Sequence, residues 1–98
     1  MIIFVDIDKT ICTLPVNCET EYEMAVPIHE NINKINQLYS EGHTIVYWTA
    51  RGTGTGHNWF HITKLQLDEW GVRYNELRMG KPVYDLFICD KSKRIEEL

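Results

Sequence analysis

The chain has 98 residues and a formal net charge of −4, and 44% of its residues are hydrophobic. This length is enough for one domain with a modest core. The acidic balance excludes the broad basic face with which proteins bind nucleic acid or anionic membranes, so we expect neither partner. A small anionic ligand remains compatible, because one metal ion and one or two well-placed cations reverse the charge locally.

The three cysteines, Cys12, Cys18 and Cys89, form no C-x-x-C pair, and their number is odd. This pattern indicates neither a disulfide framework nor a zinc site, and it favours a reducing compartment. The apolar start, residues 1–5, has no basic region and meets Asp6 at once. It is too short for a signal peptide or a membrane span, so we expect a cytoplasmic protein.

The first part of the chain predicts a strand, an irregular segment and a helix. Residues 2–7 form a β-branched, apolar run that is typical of a strand buried on both faces. Residues 11–27 lack helical periodicity and contain Pro15, so they predict a loop or small hairpin flap. We expect a helix to begin just after Pro27, a residue suited to a first turn, and to end at Gly42.

The rest of the chain alternates apolar runs with glycine-containing stops, which predicts further strands and helices. The predicted elements are a buried strand at 44–49, a glycine-rich loop at 51–56, a helix at 58–70, a weaker strand at 72–77, a stronger strand at 83–89 and a short terminal helix at 91–98. This alternation predicts the α/β class, with a three-layer sandwich around a mostly parallel, Rossmann-like sheet in a single domain.

Polar residues follow several of the apolar runs. Asp6 and Asp8 follow the first run, Thr49 ends the second, and Asp90 ends the last. Lys81 lies in the loop just before the last predicted strand. Ligand sites of parallel sheets lie beyond the carboxyl ends of the strands. We therefore expect these residues to gather at one edge of the sheet.

Asp6 and Asp8 are spaced two apart at a strand end, so their side chains lean the same way. Two close carboxylates repel each other, and a divalent cation with oxygen ligands relieves that repulsion. The alternative is a solvated turn or a helix cap. It is the weaker reading because Phe4, Val5 and Ile7 draw the segment into the core, where a carboxylate without a role is costly.

The other polar residues each have an ordinary structural alternative. Thr10 suits a turn, Thr49 suits a plain strand position, Lys81 suits the surface and Asp90 suits a helix N-cap. Their shared order and strand-end placement carry more weight than any one of them.

Four motifs resemble those of the haloacid-dehalogenase-like phosphohydrolases. Residues 6–10, Asp-Ile-Asp-Lys-Thr, resemble the first motif, D-x-D-x-T, and residues 45–49 resemble the second, a strand that ends in Thr or Ser. Lys81 resembles the lysine of the third motif, and residues 86–90 resemble the fourth, a strand that ends in an acid.

The resemblance implies a two-step phosphoryl transfer. Asp6 would be the nucleophile that forms an aspartyl phosphate, and Asp8 would be the general acid and base. The Asp6 carboxylate, the Asp8 backbone carbonyl and the Asp90 carboxylate would hold Mg²⁺. Thr49 would hydrogen-bond a phosphate oxygen, and Lys81 would neutralise charge on the nucleophile and the phosphoryl group.

Two features depart from the family pattern. Cys89 stands where many relatives have a further acid, which weakens the expected metal site. No insertion is long enough for a cap domain, so the expected core is capless. Such a site needs cover from another subunit or from a large substrate, and we expect a homo-oligomer, either a dimer or a tetramer.

Several short segments carry a closer resemblance to one group within this family. This group consists of small capless proteins related to sugar-phosphate phosphatases of surface-polysaccharide pathways. These segments are 49–51, 70–72, 80–82 and 84–86. They imply a Mg²⁺-dependent phosphomonoesterase for a small phosphorylated metabolite such as a sugar phosphate. The expected substrate-binding residues are Thr49, Ala50, Arg51 and Lys81. Arg51 either binds phosphate or a substrate carboxylate bidentately, or forms a surface salt bridge.

Two other functions stay open at this stage. One is a phosphatase that acts on a macromolecular phosphate. The other is an interaction module that has the same fold but no catalytic turnover. The acidic charge argues against a nucleic-acid end, and the presence of all four motif residues argues against lost turnover.

Overall fold

The computed structural model describes residues 1–15 and 21–98. Five strands and two α-helices are assigned within these residues. In chain order they are β1 (Ile2–Val5), β2 (Cys12–Thr13), β3 (Val26–Pro27), α1 (His29–Ser40), β4 (Thr44–Trp48), α2 (Phe60–Glu69) and β5 (Glu76–Arg78). Two short 3₁₀ helices, Tyr22–Met24 and Ile95–Glu97, complete the regular structure of the described chain.

The main sheet has three parallel strands in the order β1-β4-β5, so β4 lies in the centre. Ile2 is opposite Thr44 across the first pair, and Val46 is opposite Glu76 across the second. Parallel neighbours need a crossover connection, which α1 and α2 supply. The expectation of an α/β chain with a mostly parallel sheet is confirmed.

The core lies where β1, β4 and the helices meet. Its fully buried side chains are mostly β-branched or large and apolar, and they include Ile7, Ile11, Ile32, Ile35, Ile45, Tyr47 and Leu67. The central strand is buried at Ile45, Val46 and Tyr47 in succession. A continuous apolar run of this kind is what a strand covered on both faces requires. Helix α1 contributes Ile32 and Ile35, which are three residues apart and therefore lie on one face of the helix.

The outer strand β1 is less buried than its sequence predicts. Ile3 and Val5 pack on the core, whereas Ile2 is 72% exposed and Phe4 is 47% exposed. The expectation of a strand buried on both faces is therefore wrong for β1. The physical reason is its position, because β1 is one of the two edge strands of the sheet, so Ile2 and Phe4 have a neighbouring strand on one side only.

The predicted strand at residues 83–89 is also wrong. The described structure assigns no strand there, and Val83, Leu86, Phe87 and Ile88 are all exposed. An apolar run becomes a strand only when another strand edge accepts its hydrogen bonds, and this segment pairs with neither edge of the main sheet. The sheet therefore has three strands rather than four.

Residues at the two ends of the predicted flap pair with each other. Strands β2 and β3 are antiparallel, with Cys12 opposite Pro27 and Thr13 opposite Val26. The flap expected at residues 11–27 also includes residues 16–20, which lie outside the described residues.

None of the helices in the described residues is long and apolar enough to span a bilayer.

Candidate active site

Asp6 and Asp8 lie directly beyond the carboxyl end of β1, where the chain turns sharply. The N–H groups of Thr10 and Ile11 both donate to the Ile7 carbonyl, at 3.1 and 2.9 Å. Between the second acid and Thr10, Lys9 has a φ of 66°, in the left-handed region that non-glycine residues rarely adopt. The turn therefore holds both acids at the end of the strand rather than letting the strand continue.

Lys81 reaches the same edge of the sheet from the chain that follows β5. The Thr49 N–H donates to the Arg78 carbonyl at 3.0 Å, and the Lys81 N–H donates to the Thr49 carbonyl at 3.0 Å. These bonds extend the pairing of β4 and β5 beyond the strand ends. They bring the Lys81 Nζ to 3.5 Å from Asp6 Oδ1. The structure thus places the Lys81 ammonium beside Asp6 and joins the Lys81 backbone to that of Thr49.

The Asp6 carboxylate is only partly offset by this cation. Burial raises the pKa of Asp6 above its ordinary value, and the neighbouring Asp8 charge adds to the rise. Lys81 and the Ile7 N–H act in the opposite direction. The Lys81 ammonium also lies over the rings of Trp48 and Tyr84, at 6.0 and 5.4 Å from their centroids. These contacts keep the lysine close to the acid.

Asp8 is held by Arg51 through a forked contact. The arginine Nε donates to Asp8 Oδ2 at 3.0 Å, and Nη2 donates to Asp8 Oδ1 at 2.7 Å. This is the bidentate geometry in which a guanidinium and a carboxylate bind most strongly. Arg51 is only 2% exposed, so the alternative of a surface salt bridge is wrong. Its side chain is buried in the protein and is paired with Asp8.

The remaining nitrogen of Arg51 is satisfied by α2. Nη1 donates to Thr63 Oγ1 at 3.0 Å and to Gln66 Oε1 at 2.6 Å, and the guanidinium lies over the Tyr22 ring at 4.9 Å. Sequence reasoning overlooked these three residues. A signal was present, because Thr63 and Gln66 share a helix face with Leu67, which is a core residue. Polar groups on a core-facing surface require a polar partner.

Thr49 and Ala50 lead from β4 into the glycine-rich loop. Thr49 is buried, and its Oγ1 accepts a hydrogen bond from the Arg51 N–H at 3.1 Å. Its own hydroxyl proton is left for donation to another acceptor. Gly52 turns the chain with a φ of 80°, and a Cβ there would collide with the His57 carbonyl. Only glycine fits this position.

An open groove of about 460 Å³ adjoins the loop. The residues that line it include Ala50, Val83 and the aromatic residues Tyr22, His57 and Trp59. Ala50 follows Thr49 directly, so the groove borders the site. Apolar and aromatic walls of this kind suit the organic part of a small ligand more than its charged part.

The Cys12 thiol is close to the acids but is fully buried. Burial raises its pKa to about 12, and the Asp8 charge adds to that rise. The Sγ lies 3.5 Å from Asp8 Oδ1 and 3.7 Å from the Ile7 carbonyl oxygen. A thiol that stays protonated cannot attack a substrate, so this cysteine is a packing residue beneath Asp8.

The acids provide part of a site for a hard cation. Asp6 offers an oxygen ligand whose charge is incompletely offset, which is the condition that a divalent cation relieves. The Asp8 carboxylate is occupied by Arg51, which leaves its backbone carbonyl as the donor. Asp90 lies on the exposed chain after residue 83. Within residues 1–15 and 21–98, no three His, Cys, Asp or Glu side chains cluster as metal ligands.

Comparisons with known proteins bear on the fold of this chain. No family model and no curated protein matches it. Among solved structures it is similar to the crystal structure of a structural-genomics target from Vibrio cholerae. The TM-score is 0.80 and the identity is 28%, over 97% of this chain and 84% of that one. The Vibrio protein carries no functional name, so the likeness concerns architecture and not activity.

Proposed function

We propose that the chain is a Mg²⁺-dependent phosphomonoesterase with a capless, haloacid-dehalogenase-like core. The observation that carries the proposal is the meeting of Asp6 and Lys81 beside Asp8 and Thr49, beyond the carboxyl ends of two neighbouring parallel strands. A nucleophilic carboxylate, a second acid, a hydroxyl and a cation are the groups that phosphoryl transfer requires. The three-layer arrangement of the wider family belongs to this proposal.

The proposed reaction has two steps. In the first, an Asp6 carboxylate oxygen attacks phosphorus, and the bond from phosphorus to the ester oxygen breaks with both electrons moving to that oxygen. Asp8 enters this step as the protonated acid and gives its proton to the leaving oxygen, which leaves the Asp8 carboxylate as the base for the second step. In the second, Asp8 removes a proton from water, which attacks the aspartyl phosphate, and the bonding electrons return to the Asp6 oxygen. Free phosphate and the original carboxylate result.

Three further groups stabilise charge during these steps. The Lys81 ammonium, 3.5 Å from Asp6 Oδ1, offsets negative charge on the nucleophile and on the phosphoryl oxygens. The Thr49 hydroxyl donates to one of those oxygens. The Asp6 carboxylate, the Asp8 carbonyl and the Asp90 carboxylate would hold Mg²⁺, which supplies further charge neutralisation when bound. Asp90 has to approach from the exposed segment to take part.

The proposed substrate is a small phosphorylated metabolite, with a sugar phosphate as the leading class. The groove beside Ala50 supports this choice, because its lining includes Tyr22, His57 and Trp59, which suit the organic portion of such a ligand. Its open side would be covered by a second copy of the chain, so a homo-oligomer in the cytoplasm belongs to the same proposal. The net charge of −4 argues against a nucleic-acid substrate.

Phosphate release from a panel of phosphorylated metabolites and from an aryl phosphate, with and without Mg²⁺, tests the proposal. We expect release to require Mg²⁺ and to be abolished in Asp6→Asn, which keeps the size of the side chain but removes the nucleophilic oxygen pair. Asp68→Asn, on the exposed face of α2, is the matched control and should retain full activity. Unchanged turnover in Asp6→Asn would remove Asp6 as the nucleophile.

A second candidate function is an interaction module without turnover. The exposed position of Asp90 and the missing acid at Cys89 favour it. Measurable Mg²⁺ binding without hydrolysis of any panel member would select this candidate over the phosphatase.

A further inference from the structure

Arg51 is a buried cation next to the candidate site, and the proposed two-step reaction assigns it no function. Its side chain is fully buried, with a relative exposure of 0% against 18% for its partner Asp8. Nε and Nη2 donate to the Asp8 carboxylate, and Nη1 donates to the side chains of Thr63 and Gln66 on α2. The three nitrogens of the guanidinium are therefore all engaged within the protein.

Turning this guanidinium towards a phosphate would be costly. Thr63 and Gln66 would each lose a hydrogen bond inside the protein, where an unpaired polar group is unfavourable. The Asp8 carboxylate would lose its counter-charge as well. Lys81, by contrast, is partly exposed and lies 3.5 Å from the nucleophilic carboxylate. The two cations therefore occupy different places, one under the second acid and one beside the nucleophile.

The network also spans parts of the chain that are far apart in sequence. Gln66 accepts from Arg51 through Oε1 and donates through Nε2 to the Tyr22 carbonyl at 2.7 Å. The Tyr22 ring packs against Arg51 and against Trp59. Helix α2, the 3₁₀ helix at Tyr22–Met24 and the turn after β1 are thus joined through one guanidinium. The Asp8 carboxylate is consequently held against α2 and the 3₁₀ helix.

We propose that Arg51, braced by Thr63 and Gln66, is a positioning residue that orients the Asp8 carboxyl group for proton transfer to the leaving oxygen. This inference rests on the proposed phosphatase activity. Arg51 acts through Asp8 and makes no contact with the phosphoryl group. The loss of its fork should therefore harm the proton-transfer step selectively.

Two aryl esters of different leaving ability separate this role from phosphate binding. Departure of phenolate from phenyl phosphate needs a proton, whereas dinitrophenolate leaves 2,4-dinitrophenyl phosphate without one. The ratio kcat/KM covers the steps up to departure of the leaving group. In Arg51→Met we expect kcat/KM for phenyl phosphate to fall by about a hundredfold, the usual size of general acid catalysis. The fall for the dinitrophenyl ester should be far smaller.

A second pair of variants guards against a folding defect. Thr63→Val is nearly isosteric at a fully buried position and removes one acceptor of Arg51 Nη1, whereas Thr63→Ser keeps the hydroxyl. We expect Thr63→Val to show the same selective loss on phenyl phosphate at a smaller size, and Thr63→Ser to restore the wild-type ratio between the two esters. Circular dichroism establishes that each variant is folded.

The outcomes distinguish the two proposals. Equal losses on both esters in folded Arg51→Met, together with an unchanged ester ratio in Thr63→Val, would overturn the positioning role and favour direct phosphate binding. A wild-type protein that hydrolyses neither ester with Mg²⁺ would overturn the proposed function itself, and the positioning role with it. Selective loss in both variants supports both proposals.

Discussion

Asp8 and Asp90 illustrate two ways in which this chain places an acid after an apolar run. Asp8 follows a paired strand, and its carboxylate is gripped by a buried arginine that is itself anchored on a helix. Asp90 follows a run of the same apolar character, but that run is unpaired and exposed. The difference teaches that apolar composition does not by itself position a functional group. Backbone pairing and a buried partner are also needed.

The largest expected effect tests this contrast through packing. Ile45→Ala in β4 removes a fully buried side chain and should lower the free energy of unfolding by about 2–5 kcal/mol. Ile88→Ala makes the same chemical change at a position that is 88% exposed, and should cost no more than about 0.5 kcal/mol. Urea unfolding followed by circular dichroism measures both. A comparable loss for the two variants would show that residues 83–89 pack in solution.

An intermediate effect concerns the one buried polar side-chain atom that lacks a hydrogen-bond partner among the described residues. This atom is the Tyr47 hydroxyl, and burial raises the pKa of Tyr47 well above its usual range. Tyr47→Phe removes an unsatisfied group and should raise the free energy of unfolding by about 1 kcal/mol. Tyr84→Phe, at a half-exposed position, is the matched control and should leave it unchanged. Destabilisation by Tyr47→Phe would mean that the hydroxyl has a partner.

The smallest expected effect concerns Asp6 and has a defined pH dependence. Burial raises the pKa of Asp6, so the folded chain holds that proton more tightly than the unfolded chain does. The ionised Asp6 side chain therefore lowers the free energy of unfolding at neutral pH. This destabilisation decreases as the pH falls through the raised pKa towards the ordinary Asp value of about 3.9. Asp6→Asn should raise Tm slightly at neutral pH, with a difference that shrinks on acidification.

Scanning calorimetry at a series of pH values measures this difference, with Asp68→Asn on the surface of α2 as the control. A lower Tm for Asp6→Asn at neutral pH would indicate that its contact with Lys81 outweighs the cost of burying its charge. Such a result would mean that the buried charge of Asp6 is already compensated, and it would remove this charge as a reason to expect a divalent cation there.

Much of the fold could be predicted because its signals are local. Pro27 and Gly42 bracket α1 closely, and the run of residues 44–49 corresponds to β4. Part of the candidate site could be predicted for the same reason, since Asp6 and Thr49 each follow such a run. The partners of Arg51 could not be predicted, because Thr63 and Gln66 contact Arg51 only when α2 packs against the site.

The sequence by itself determined the order of the three main-sheet strands and the two α-helices, and the residue types that stand at the ends of β1 and β4. These depend on periodicity and on turn chemistry, which act over a few neighbouring residues. Only the tertiary structure decided that the buried Arg51 side chain pairs with Asp8 and that residues 83–89 stay unpaired. Those outcomes depend on which edges and faces meet across long sequence separations, and the local pattern of a segment carries no record of its partner.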